Sequence, residues 1–230
     1  MLKSLEDSVR IFLLRHAQSQ GNVDPSLYRD MADHAIPLSA GGQAQAREAG
    51  RRIKEHLQAI HGEPGSARVR MWTSPYERTR QTGDVIVEAA GGWVTDRREH
   101  ILLCEQQFGL FNGVPDDQLP VRFPDEYALH SKQEQAAGKF WVRFPLGESR
   151  FDVATRVHQA FGTFHRDLRK HGIEDLIVVC HGVTLRAFVM MWCHYSPEWF
   201  ETEGNPGNCA IRLIEGSEDR GYIFEGFEDP

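Results

Sequence analysis

The chain has 230 residues, 40% of them hydrophobic and 26% charged, with a formal net charge of −7. No apolar run approaches the roughly 18 residues that a membrane span needs, and an acidic balance without a basic block gives no electrostatic pull toward nucleic acid. This length suits one domain over residues 1–230 with an insertion.

The opening Met1–Asp7 reaches Glu6 and Asp7 before an apolar stretch forms, so no secretory leader is read there and a cytoplasmic location is expected. Cys104, Cys180, Cys193 and Cys209 lie in different segments without a C-x-x-C pair, which predicts reduced, mostly buried thiols. Cys180-His181 and Cys193-His194 are adjacent pairs whose side chains would point apart along a strand, so no metal site is expected.

In chain order, Ile11–Leu14 reads as a strand. Ser39 offers a cap to a helix over about 40–61, which carries Ala44, Ala46, Ala49, Ile53 and Leu57 and is polar elsewhere, and Gly62, Pro64 and Gly65 stop it. The next strand is Val69–Trp72. Ser74-Pro75 then predicts a capped helix with proline in its first position, running toward Gly91-Gly92. Ile101–Cys104 reads as a further strand. Residues about 106–147, rich in proline, glycine and aromatics, read as an inserted cap over a site.

Ser149 to Asp152 resembles a capping box that opens a helix to about Lys170. Leu176–Cys180 is a strand, Val183–Met191 is helical, and Ala210–Ile214 and Tyr222–Phe224 are strands before a loose tail from Glu225. The order predicts an α/β fold, a three-layer αβα arrangement around a mostly parallel sheet, with no internal repeat.

Several of these strands stop at a residue able to bind or attack phosphate. Leu14 precedes Arg15-His16, Trp72 precedes Thr73-Ser74 near Arg78, and Cys180 precedes His181; Cys104 similarly precedes Glu105. Open α/β sheets gather ligands at these carboxyl ends, so two histidines, two arginines and a carboxyl converge on one crevice, an anion site with acid–base equipment. Gly182 permits close approach, and the helix after it is expected to aim free N–H groups at the anion.

The run Leu14-Arg15-His16-Ala17-Gln18-Ser19-Gln20-Gly21-Asn22 resembles the signature of the histidine phosphatase, or phosphoglycerate mutase-like, superfamily. Further motif positions follow in order: Leu38-Ser39 with Gly42, Gln45, Ala46 and Gly50; Ser74-Pro75 with Arg78, Gln81 and Thr82; Glu105 with Gly109 and Gly113; Gly147-Glu148-Ser149; and His181-Gly182. The resemblance implies that His16 is the nucleophile, Arg15 and Arg78 bind the phosphoryl group with Asn22, His181 stabilises it, and Glu105 handles the leaving-group proton. It implies no cofactor. The chemistry agrees, since a neutral imidazole attacks phosphorus without a separate base and arginines present planar, bidentate donors to the transferring oxygens.

Other residues have plainer readings. Arg80 reads as a solvated arginine, and Glu148 and Ser149 as helix capping rather than substrate contact. Residues 138–149 are similar to a branch of mutase-like proteins of fungi and plants described as phosphatases. Phe108-Gly109-Leu110-Phe111-Asn112-Gly113 lacks the tyrosine of the mutase motif and no paired arginines follow, while Phe111-Asn112-Gly113 stands where many phosphatases of the superfamily have Trp-Glu-Gly. A hydrolase for a small phosphomonoester is expected; a phosphoglycerate mutase-type transferase and a non-catalytic phosphate sensor are the alternatives. Oligomeric state is left open.

Overall fold

Alternate residues of the first strand serve two cores. In the computed structural model, which describes residues 9–228, β1 (Arg10–Arg15) sends Ile11 and Leu13 to one face and Phe12 and Leu14 to the other. Burial on both faces is what makes such a strand read as a continuous apolar run. The same division recurs further along the chain, where Leu176 and Val178 join the first core and Ile177 and Val179 the second.

After β1 come the short helices α1 (Gln20–Val23) and α2 (Leu27–Asp30) and a 3-10 turn at Asp33–Ala35. The long helix α3 (Ala40–His61) leads through β2 (Val69–Thr73) to α4 (Glu77–Ala89) and the edge strand β3 (Asp96–Glu99). The segment that follows β3 carries α5 (Leu119–Arg122) and α6 (Pro124–Ala137). Then come α7 (Arg150–His171), β4 (Asp175–Cys180), α8 (Gly182–Trp192), α9 (Pro197–Thr202), β5 (Ile211–Glu215) and β6 (Glu218–Phe224).

The six strands form one sheet in the order β3-β2-β4-β1-β5-β6. β3, β2, β4 and β1 pair in parallel, and β5 runs antiparallel to both of its neighbours. α7 and α8 cover the face built on Leu13 and Val178, while α3 and α4 cover the face built on Phe12 and Val179. This is the expected α/β sandwich with a mostly parallel sheet. Gly50 lets α3 and α4 approach, since a Cβ there would lie 2.7 Å from the Cβ of Ala89.

Helix starts follow the expected chemistry at two places. Ser39 Oγ accepts from Gly42 N at 3.0 Å, and Ser149 and Asp152 form a reciprocal capping box. Together such caps satisfy N–H groups that a helix start leaves open.

Four expectations need correction. Ile101–Leu103 is a 3-10 turn, with Ile101 68% exposed and Leu103 buried, and the strand lies just before it at Asp96–Glu99. That edge strand is all charged because it has one ladder partner; Arg70 and Arg98 pair with Asp96, and Arg80 with Glu99. An edge strand of this kind shows no apolar pattern. Next, α4 starts at Glu77 rather than at Pro75, and its cap residue Tyr76 makes no side-chain cap bond. Third, the tail is not loose over its whole length, because Phe227 and Asn208 exchange backbone hydrogen bonds of 2.7 and 2.8 Å. The fourth concerns the N–H groups of α8 and is described with the site below. The reading of Met1–Asp7 and the last two residues of the tail lie outside the described residues.

The four cysteines are free thiols, Cys180 and Cys209 buried and the other two partly so. Among the described residues, no helix is long and apolar enough to cross a membrane.

Candidate active site

His16 stands immediately beyond β1, its N–H bonded to the carbonyl of Cys180 at 2.9 Å. Its Nδ1 lies 2.7 Å from the carbonyl oxygen of Ala17. A carbonyl can only accept, so Nδ1 carries the proton and Nε2 keeps its lone pair. Burial first, then the charges of Arg78 and Arg15, push the imidazole's pKa well below its ordinary 6.5. The ring is therefore neutral, with an unprotonated Nε2 on a residue that lines the cavity.

Motif positions hold the loop that carries this ring. Thr82 Oγ1 accepts from Ala17 N at 3.1 Å, Gln45 Oε1 from Gln18 N at 2.9 Å, and Gln81 Oε1 from Leu38 N at 2.8 Å. Helices α3 and α4 thereby fix the backbone on either side of α1 through side-chain amide and hydroxyl acceptors.

Both arginines are buried. Arg15 donates from Nη1 to the carbonyl of Pro206 at 2.7 Å. Arg78, 2% exposed on the first turn of α4, donates from Nη1 to both the carbonyl and Oδ1 of Asp33 at 2.7 Å and lies 4.9 Å over the ring of Tyr76. Arg80, by contrast, is exposed and paired with Glu99, as its solvated reading expected.

His181, the cap residue of α8, packs edge-on against His16 with ring centroids 5.2 Å apart, and its Nε2 lies 2.9 Å from Ser74 Oγ. Burial, followed by the positive charge of Arg78, lowers its pKa well below 6.5 as well. Its Nδ1 is buried without a hydrogen-bond partner.

Glu105 reaches across to the start of α8. Its Oε2 accepts from Val183 N at 3.3 Å, and its Oε1 from Gln106 N at 2.9 Å, Thr184 N at 3.3 Å and Thr184 Oγ1 at 3.2 Å. Two of the N–H groups expected to be free for an anion, those of Val183 and Thr184, are thus occupied by this carboxylate, the usual solution for a helix start that would otherwise leave donors unpaired. Oε2 bears the lighter load and is the oxygen open to further contact. Arg156 braces this segment, donating to the carbonyls of Leu102, Cys104 and Glu105 while paired with Glu148. Glu148 therefore serves Arg156, and Ser149 does the capping.

Arg15, His16, Asn22, Arg78, Glu105 and Gly182 line one cavity of ≈ 320 Å³. Asn22 has its oxygen tied to Ser19 N and Oγ, both at 2.9 Å, which leaves the NH₂ end of the amide to meet a ligand. At Gly182 any Cβ would fall 2.2 Å from Asn205 Oδ1. Sequence reasoning did not find Tyr28, Asp33 and Asn205, which also line the cavity, nor the contacts of Ser74 and Arg156. Asp33 had no local signal, because its partner Arg78 is distant in sequence. Phe108, Phe111, Asn112 and Gly113 come from the segment between β3 and α5. A second cavity of ≈ 270 Å³ lies between the segment that follows β3 and Arg150 of α7, and it shares only Phe111 with the first. Among the described residues no cluster of three histidine, cysteine or acidic side chains could hold a metal ion.

The fold and this site define a class, that of α/β proteins setting two buried neutral histidines between buried arginines at the carboxyl ends of parallel strands. The family model of the histidine phosphatase superfamily (branch 1) matches residues 11–227, and the chain belongs to that superfamily. It is 34% identical over 228 residues to the phosphoglycerate mutase-like protein AT74H of Arabidopsis thaliana, covering 94% of this chain and 76% of that protein. The match to the broad-range acid phosphatase DET1 of Saccharomyces cerevisiae is 24% identical, over 89% of this chain and 84% of that one. Among solved structures, a mycobacterial glucosyl-3-phosphoglycerate phosphatase with VO3 superposes with a TM-score of 0.67 at 20% identity, covering 96% and 100% of the two chains. The alpha-ribazole phosphatase from Shigella flexneri gives 0.67 at 17%, covering 95% and 98%. At such identities these structures speak for the fold.

Proposed function

We propose that the chain hydrolyses a small phosphomonoester through a phosphohistidine on His16. The observation that carries this reading is the Nε2 lone pair of a buried neutral imidazole beside two buried arginines. In the first step Nε2 attacks phosphorus, the N–P bond forms, and the bond to the ester oxygen breaks. Glu105 gives that oxygen its proton. Charge appears on the ring as the bond forms, and the Ala17 carbonyl accepting from Nδ1–H steadies it. Arg15 and Arg78 take the equatorial phosphoryl oxygens with Asn22, and His181 adds a donor, so that charge developing in the transition state meets fixed donors. Water then attacks the phosphohistidine, giving its proton to Glu105, and inorganic phosphate leaves from a regenerated His16.

Hydrolysis is favoured over mutase transfer because, among the described residues lining the cavity, the only cations are Arg15 and Arg78. A mutase must retain a phosphoglycerate bearing two anionic groups while its phosphohistidine waits. Here the insertion, which we read as a cap, brings Phe108, Phe111 and Asn112 instead. The lowered pKa of His16 keeps the nucleophile neutral in mild acid, consistent with kinship to a broad-range acid phosphatase.

The test is phosphate release from a panel of sugar, nucleotide and alkyl phosphates, with isomerisation of 3-phosphoglycerate followed alongside. Release from several esters without isomerisation is expected. Isomerisation that outruns hydrolysis would assign the mutase reading, and inertness toward the whole panel would leave a phosphate-binding protein.

A further inference from the structure

We propose that Asp33 makes the site selective for phosphomonoesters whose leaving group carries no second negative charge. This rests on the hydrolase reading above and goes further, naming the class of substrate.

Asp33 opens a 3-10 turn that packs on α4, and its carbonyl and Oδ1 both take Nη1 of Arg78. Its side chain is 16% exposed and forms part of the cavity wall. One acid thereby does two things. It fixes Nη1 of Arg78, and it sets a carboxylate in the wall of the cavity that Arg78 also lines.

Of the two cations lining the cavity, Arg78 is already paired with Asp33 before any substrate arrives, while His16 is neutral and Glu105 holds the proton it gives the leaving oxygen. An incoming phosphoryl group engages both guanidiniums. A second anion on the same molecule would find Asp33, Tyr28, Phe108 and Phe111 around it, with no further cation among the described lining residues. At the intermediate dielectric of a partly open site, one unit of repulsion at about 7 Å is worth about tenfold in affinity. An uncharged polyol or a cationic group meets no such penalty, and its donors can use the Asp33 carboxylate.

The plainer account is that Asp33 only orients Arg78, in which case its charge would affect all phosphate esters alike. Two esters separate the accounts, sn-glycerol 3-phosphate and 3-phosphoglycerate, which differ in a hydroxymethyl group against a carboxylate. Their affinities are measured by titration calorimetry on His16→Ala protein, which cannot turn them over, with Asp33 intact and with Asp33→Asn. Asparagine keeps the oxygen that accepts from Arg78 and removes the charge, and a thermal melt checks that the variant folds.

The glycerol ester is expected to bind about tenfold more tightly, and Asp33→Asn to shrink that preference at least about threefold. Equal binding of the two esters overturns the proposal without any variant, as does binding of neither, and a preference unchanged by Asp33→Asn overturns the assignment to Asp33. Parallel hydrolysis assays on protein with His16 intact keep the two readings apart. Discrimination in binding with no hydrolysis of either ester or of any other in the panel sinks the hydrolase reading and leaves the selectivity. Hydrolysis of both esters with equal kcat/KM does the reverse.

Discussion

Ser74 Oγ lies 2.9 Å from Nε2 of His181, a contact that either neutral tautomer of the ring can make. His181 is neutral because burial lowers its pKa well below 6.5. If the serine hydroxyl donates to Nε2, the imidazole proton sits on Nδ1, the buried nitrogen with no partner. A donor beside His16 is what a transferring phosphoryl group needs. In that arrangement Ser74 is a positioning residue acting through His181. Ser74→Ala is expected to lower kcat roughly 10-fold to 10²-fold with little change in KM, below the loss for removing a transition-state donor outright. Ser74→Thr, which retains the hydroxyl, should restore most of it. A Ser74→Ala enzyme within twofold of the parent would show that His181 needs no such orientation.

Glu105 should matter in proportion to how badly the leaving oxygen needs a proton. An alkoxide departs poorly, whereas p-nitrophenolate departs unprotonated, so Glu105→Gln is expected to slow an alkyl phosphate about 10²–10⁴-fold and p-nitrophenyl phosphate far less. Glutamine keeps one acceptor oxygen, enough for Thr184 N or for Val183 N but not for both, so a thermal melt is run alongside to check the start of α8. The comparison belongs on single-turnover phosphorylation of His16, because dephosphorylation can hide it in steady state. Equal slowing of both esters would assign Glu105 to shaping the pocket.

Stability should depend on pH through the two buried histidines. Both have folded pKa values pushed well below 6.5, chiefly by burial. As pH falls through about 6.5 the unfolded chain takes up protons that the folded one refuses, so the unfolded state is favoured and stability rises with pH. The stability is complete above about pH 7.5 and drains away between there and the depressed folded values. Asp152, whose carboxyl Arg143 holds at about 2, adds nothing to the slope in that window. Melting temperatures from pH 8 to 5 should therefore fall, and fall less steeply in His16→Gln. The same slope with and without His16 would mean that the ring is charged or solvated in the folded protein.

Much of this architecture could be read from residue pattern, and the failures share a cause. β1 and β4 were legible because central parallel strands are buried on both faces, and α3 and α7 because Ser39 and Ser149 announce their starts. β3 was missed because an edge strand closed by ion pairs has no apolar signature, and the apolar Ile101–Leu103 beside it suggested a strand instead. In the site, the residues found each follow or face the carboxyl end of a strand or open a helix. Those not found earn their place through contacts between distant segments: Asp33 with Arg78, Arg156 with the carbonyls before Glu105, and Asn205 with Gly182. The destination of the Glu105 carboxylate was hidden in the same way, so a helix start that looked free for an anion is already capped.

The central claim is that Nε2 of His16 becomes covalently phosphorylated during turnover. The direct measurement mixes the protein with a ³²P-labelled ester, quenches in alkali within milliseconds, and locates the label by peptide mapping. A phosphohistidine survives alkali and is lost in acid. The expected result is label on the peptide bearing His16, stable to alkali, discharged by acid, chased away by unlabelled substrate at a rate no slower than kcat, and absent from His16→Ala protein. Label that persists in His16→Ala protein, or full turnover by that variant with no label at any time, would contradict the account.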